Sequence, residues 1–215
     1  MVFQDRKDAG KRLAEKLTHY RDDAGVIVLG LPRGGVTVAY EIAGALRCPL
    51  DILIVRKIGF PGEPELAVGA VSETGSVVIN EDIVSRYRVS KEYLEQETSR
   101  QQQEIARRAA LYRGGGGVPS LAGKTVILVD DGVATGATAK AAISTLKRER
   151  IARLVVALPV ASREAERNIA PLVDEWVCLE APLGFRAVGQ FYSDFTQVED
   201  EDVVAMLERA KKVTP

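Results

Sequence analysis

The strongest constraint on this chain is a pattern that occurs three times: a short β-branched strand, a turn of small residues, then an amphipathic helix. The first instance runs through residues 26–29, a Gly-Leu-Pro-Arg-Gly-Gly turn at 30–35 and a helix to about Arg47. The second joins 125–129 to an acidic, Gly- and Thr-rich turn at 130–138 and a helix to about Arg150. The third leads the apolar run 154–160 into Ser162, an expected N-cap with Glu164 and Glu166 in the first turn. Further strands are expected at 51–55 and 175–179. Strands apolar on both faces that alternate with helices specify a central, mostly parallel sheet flanked by helices, so the expected class is α/β.

Composition narrows the chemistry this frame can carry. With 29 basic and 30 acidic residues the formal net charge is −1. A near-neutral chain lacks the bulk positive field that draws proteins to nucleic acid, so only a local patch at 100–113 is left for such a contact. The single histidine, His19, excludes a His-rich zinc site, and two cysteines, Cys48 and Cys178, exclude a CxxC clamp or a dense disulfide framework. Charges occupy the start of the chain where a signal peptide needs apolar residues, and the run 154–161 is far short of the ~20 residues that span a bilayer. No membrane association and a cytoplasmic location are therefore expected. What remains for chemistry is carboxylates, hydroxyls, backbone amides or a hard metal ion.

The 215 residues fit one domain over 1–215, with a helical insertion at about 80–117 and a distinct C-terminal segment at about 180–215. Ala9, Leu13, Leu17 and Tyr20 mark an amphipathic helix over about 6–20, near whose end His19 reads as a surface or cap-region residue. Residues 90–113 form a long polar helix in which Glu92, Glu95 and Glu97 precede Arg100, Arg107, Arg108 and Arg113. That order complements the helix dipole, and the same arginines could instead lie beside an anionic ligand at the helix end. The glycines at 114–117 read as a flexible hinge.

The site signal is sharpest at 126–138, Val-Ile-Leu-Val-Asp-Asp-Gly-Val-Ala-Thr-Gly-Ala-Thr. A buried strand delivers Asp130 and Asp131 at its carboxyl end, where open α/β sheets place their ligands. Ala134, Thr135, Gly136, Ala137 and Thr138 then supply small side chains, two hydroxyls and free amides at a helix start, which together cradle an anion. Acids repel phosphate, so the aspartates are left to hold sugar hydroxyls or magnesium, and the ligand implied is a phosphorylated sugar. A Walker loop is excluded because neither glycine turn carries its lysine, and Gly30, Gly34 and Gly35 do not space as a dinucleotide fingerprint.

This segment resembles the phosphoribosyl-diphosphate signature of the type I phosphoribosyltransferases, through its four apolar residues, acid pair and Thr-Gly-Ala-Thr loop. The resemblance implies that Asp130 and Asp131 hold the ribose 2′ and 3′ hydroxyls and that 134–138 hold the 5′-phosphate. Gly132 departs from the aliphatic or Ser residue usual there and is expected to loosen the turn. Pro32, Arg33, Gly34 and Gly35 look like the family's pyrophosphate loop, which commonly contains a cis peptide, here the Pro32–Arg33 bond. Arg56 and Lys57, beside a Gly/Pro-rich stretch, could contact the pyrophosphate or cover the site, or the stretch could be a solvated turn. The family's hood, a small subdomain, would fall partly at 182–195. There Phe185 and Tyr192 could stack on a base and Gln190 could bond its edge, or the aromatics could be core.

The resemblance implies phosphoribosyl transfer from 5-phosphoribosyl 1-diphosphate to a nitrogenous base, with catalytic roles for Asp130, Asp131 and Arg33. The expected cofactor is Mg²⁺, held by the substrate's pyrophosphate and ribose and by Asp130 and Asp131. The expected partners are these small molecules and a second copy of the chain in a homodimer. Two rivals stand beside it: a regulator of the same fold that senses phosphoribosyl diphosphate or a nucleotide, and a magnesium-dependent phosphohydrolase.

Overall fold

The structure, a computed structural model, describes residues 2–114, 116, 117 and 119–213. In chain order its first elements are α1 (Arg6–Lys16), β1 (Val26–Gly30), α2 (Gly34–Leu46) and β2 (Leu50–Ile52). Next come β3 (Val55–Phe60), β4 (Glu63–Ser72), β5 (Val77–Ile79), α3 (Glu81–Tyr87) and α4 (Lys91–Arg113). The chain closes with β6 (Thr125–Val129), α5 (Ala137–Leu146), β7 (Arg153–Val160), α6 (Arg163–Ile169), β8 (Glu175–Glu180) and α7 (Asp200–Val213). The residues group into two compact units: 1–52, 119–136 and 150–215 in the first, 53–118 and 137–149 in the second.

The first unit is built on a five-stranded sheet in the order β2-β1-β6-β7-β8, with every neighbouring pair parallel. Its strands are apolar on both faces because both faces are covered. On one side Val26, Val28, Ile127, Val129, Val155 and Ala157 pack with Leu13 of α1, Leu17 just after it, and Val38, Ile42 and Leu46 of α2. The alternate residues Ile27, Leu29, Leu128, Val156 and Leu158 are buried as well. Local signals set the helix starts: Asp5 caps α1 through Asp8 N at 2.8 Å, and Ser162 caps α6 through Ala165 N at 3.0 Å. No helix among the described residues is long and apolar enough to cross a membrane.

The second unit holds an antiparallel sheet, β3-β4-β5, with α4 and α5 packed on it. Ser90 caps α4 and Gly114, at φ 59°, ends it, so the long polar helix lies where its sequence predicts. Of the glycines expected as a hinge, Gly115 lies outside the described residues.

Three sequence expectations change. The strand expected at 51–55 is two strands in two sheets. Asp51 accepts a hydrogen bond from the adjacent Ile52 N at 2.7 Å, parallel pairing ends at Ile52, and Val55 begins the antiparallel sheet. The Gly/Pro-rich stretch after Lys57 is a hairpin rather than a plain loop. The helix expected to reach Arg150 ends at Leu146, where Thr145 Oγ1 donates to Ala142 O at 2.9 Å and the amides of Arg148 and Glu149 bond three residues back.

Candidate functional site

Central strand β6 is paired on both sides, in register with β1 (Val28 opposite Ile127) and β7 (Ile127 opposite Val155). Its carboxyl end therefore carries Asp130 and Asp131 out of the middle of the sheet at a fixed position. Gly132 follows at φ 153°, and a Cβ there would lie 2.5 Å from Val188 Cγ1 and 2.9 Å from Val160 Cγ1. Both backbone and packing thus require glycine, so the residue tightens the turn rather than loosening it.

The glycine turn before α2 closes on the same acids. The Pro32–Arg33 peptide is cis. A Cβ on Gly34 would sit 1.9 Å from Asp131 Oδ2, and one on Gly35 would sit 2.8 Å from Asp130 Cα. Only bare backbone fits between the start of α2 and the acid pair. The free amides and the dipole at that helix start favour a nearby negative charge. Arg33 reaches outward, its Nη1 3.4 Å from Glu199 Oε2 and 3.8 Å from Asp200 Oδ1.

Asp130 Oδ1 accepts from Asp131 N at 2.9 Å, and Asp131 Oδ2 accepts from Arg6 Nε at 2.7 Å. Each carboxylate has a second oxygen with no hydrogen-bond partner among the described residues. Burial, and next the charge of Asp131, push the Asp130 carboxyl well above the usual carboxylate range. Burial also raises Asp131, opposed by the hydrogen bond and charge of Arg6. Tyr192 donates its hydroxyl to Asp131 O at 2.5 Å, and burial and then the Asp131 charge hold that phenol protonated far above its ordinary range.

Sequence reasoning missed Arg6, which is only 9% exposed. Its Nη1 donates to Thr196 O at 2.8 Å, and its guanidinium carbon lies 3.9 Å from the centre of the Phe195 ring. A signal was available: Arg6 is the first residue of α1, where the helix dipole disfavours a cation. Such a break of a local rule marks a residue placed for another reason.

The expected phosphate loop is pinned at its start. Val133 N donates to Val160 O at 3.0 Å, Ser162 N donates to Val133 O at 2.9 Å, and Ser162 Oγ donates to Ala134 O at 2.5 Å. Ala134 and Thr135 are exposed and Gly136 is buried; Ala137 and exposed Thr138 open α5. The first unit therefore brings together Arg33, Gly34, Gly35, Asp130, Asp131 and Tyr192. Arg56 and Lys57 belong to β3 of the second unit. There Arg56 Nε donates to Gln101 Oε1 at 2.9 Å, and burial, then neighbouring Arg108, weaken its hold on its proton.

In the C-terminal segment, Tyr192 and Phe191 are core residues, packed with Phe3 and Val160. Phe185 is half-buried and stacks on Phe191 at 5.4 Å. Gln190 uses both ends of its amide locally, accepting from Arg186 N and Ala187 N and donating to Gly184 O. His19 lies at the surface, 3.3 Å from Glu175. Arg107 and Arg108 both pair with Glu104 on the helix, as the helix-stabilising reading expects, whereas Arg113 is buried and bound to Glu73, outside the helix. No group of three or more His, Cys, Asp or Glu side chains suited to a metal ion occurs among the described residues.

Comparison with known proteins extends these observations. The model of the phosphoribosyl transferase domain matches residues 3–195. A Mycobacterium tuberculosis (strain CDC 1551) protein, provisionally named a phosphoribosyl transferase, is 44% identical over 211 residues, covering 98% of this chain and 47% of its own length. The chain thus spans about half the length of the curated relatives it matches. Among solved structures, TT1426 from Thermus thermophilus is 46% identical with a TM-score of 0.88, covering 97% of this chain and 99% of that one. A hypothetical protein from Neisseria gonorrhoeae, 14% identical with a TM-score of 0.53 over 97% of this chain and 94% of its own, shares the fold.

Proposed function

Because the chain belongs to the phosphoribosyl transferase domain family, we propose that it binds 5-phosphoribosyl 1-diphosphate and transfers the phosphoribosyl group to a nitrogenous base, releasing pyrophosphate. The observation that carries this reading is the acid pair at the end of β6. Asp130 and Asp131 each keep one oxygen unengaged, and two adjacent acceptors match the two donors of a vicinal diol.

The remaining roles follow from residue chemistry. Amides of 134–138 and the hydroxyls of Thr135 and Thr138 take the 5′-phosphate at the start of α5. The turn of Pro32, Arg33, Gly34 and Gly35 takes the pyrophosphate, with Arg33 turning from its long contacts to Glu199 and Asp200 to bind it as a fork. Phe185 supplies ring surface for the base, while Tyr192 and Gln190 shape the segment that presents it.

Hard oxygen donors fit magnesium. With no third acid in the cluster, Asp130 and Asp131 would hold the ion only alongside the substrate's own oxygens. When bound, the ion neutralises charge on the leaving pyrophosphate. The chain's residues orient the ribose, hold negative charge beside the sugar as its C1 becomes cationic, and grip the leaving group.

The test is pyrophosphate release from phosphoribosyl diphosphate and Mg²⁺ across a panel of bases. Release with one base, lowered about 100-fold in Asp131→Asn, is the expected result. Binding of the diphosphate with no release for any base would overturn transfer in favour of a sensor. Release of inorganic phosphate would point to a hydrolase.

A further inference from the structure

We infer that Arg6 is a positioning residue of this site: it fixes the carboxylate of Asp131 and is itself fixed by the 192–196 segment beside the proposed acceptor contacts. The inference rests on the ribose-binding role proposed for Asp131.

Three contacts over-determine this side chain. Nε donates to Asp131 Oδ2 at 2.7 Å, Nη1 donates to Thr196 O at 2.8 Å, and the guanidinium lies on the Phe195 ring, 3.9 Å from carbon to ring centre. Phe195 in turn lies 5.0 Å from the ring of Tyr192, whose hydroxyl holds the Asp131 carbonyl. A guanidinium is a rigid planar fork, so bonds made through Nε and Nη1 lock its plane and the direction of its proton toward Asp131. Asp131 Oδ2 is thereby held and its other oxygen is left to aim at a ligand. The carboxylate, a cation from the chain start and a backbone carbonyl near the chain end form one packed assembly.

The experiment is calorimetric titration of phosphoribosyl diphosphate with Mg²⁺, and separately of inorganic pyrophosphate with Mg²⁺, into the full chain. Arg6→Gln should weaken phosphoribosyl diphosphate about tenfold, leaving pyrophosphate affinity unchanged. Arg6→Lys should restore only part of the affinity, because the charge returns but the planar fork does not. Should Arg6→Gln fail to fold, Phe195→Leu removes the stacking alone and should weaken phosphoribosyl diphosphate about threefold with the same selectivity. Wild-type affinity in Arg6→Gln, or equal losses for both ligands in either variant, would overturn the inference and leave the ribose site standing. A wild type that binds the two ligands equally tightly would overturn the ribose site and the inference with it.

Discussion

Among the described residues, each unit contains a buried arginine–carboxylate pair, and these two are built differently. In the second unit, Arg113 grips Glu73 through both terminal nitrogens, and the two side chains are only 6% and 2% exposed. Glu73 Oε1 also accepts from Ile54 N at 2.9 Å, while Glu73 N donates to Ile54 O at 3.0 Å. That pair ties the end of α4 to the strands β3 and β4 and uses both of the carboxylate's oxygens. In the first unit, Arg6 reaches Asp131 through Nε, and the carboxylate shares its surroundings with Asp130 and keeps an unengaged oxygen. A buried charge with every lone pair answered stabilises structure; one held at a single oxygen beside a like charge is poised for a ligand.

The contrast can be broken most decisively at Glu73. Glu73→Gln leaves a buried Arg113 uncompensated and should cost about 3–5 kcal/mol in urea unfolding. A loss below about 1 kcal/mol would mean that this pair is no strut and that the two pairs are alike. Gly34→Ala comes next. Its methyl would collide with Asp131 Oδ2, so a loss of about 1–3 kcal/mol is expected, together with weakened phosphoribosyl diphosphate binding. Stability and binding both unchanged would show that the turn and the acid do not touch.

The smallest effect has the opposite sign. The raised Asp130 carboxyl means that the folded state holds a proton more tightly than the unfolded chain does. The pair's cost is therefore absent below the ordinary aspartate value of 3.8 and grows as pH rises through the elevated folded value. Asp130→Asn should accordingly stabilise the protein by on the order of 1 kcal/mol at neutral pH, with a gain that fades as pH falls toward the ordinary value, while phosphoribosyl diphosphate binding is lost. Thermal melts across pH check this; a destabilised variant at neutral pH would show that Asp130 is a structural acid.

Features with local causes were legible. Ser162 read as a helix cap because a hydroxyl beside free amides acts within one turn, and β6 with its acid pair read as a ligand-bearing strand end because burial and polarity switch within two residues. The hairpin after Val55 was not, because its identity lies in pairing between β3 and β4, and the Gly/Pro-rich stretch looks the same as a loop or as a turn between strands. Arg6 stood out only as a cation at a helix start, and its role lay beyond reach because its partners are 125 and 190 residues away.

By itself the sequence determined which strands are buried on both faces, where helices begin, and that carboxylates, hydroxyls and amides, not histidine or thiol, carry any chemistry. These are properties of residues and their near neighbours. Only the tertiary structure decided that Gly34 must lack a side chain, that Gly132 packs under Val188, and that Asp131 meets a guanidinium from the chain start. Each depends on close approach of segments far apart in the chain, and no local period or propensity records which distant atoms will lie within about 3 Å of one another.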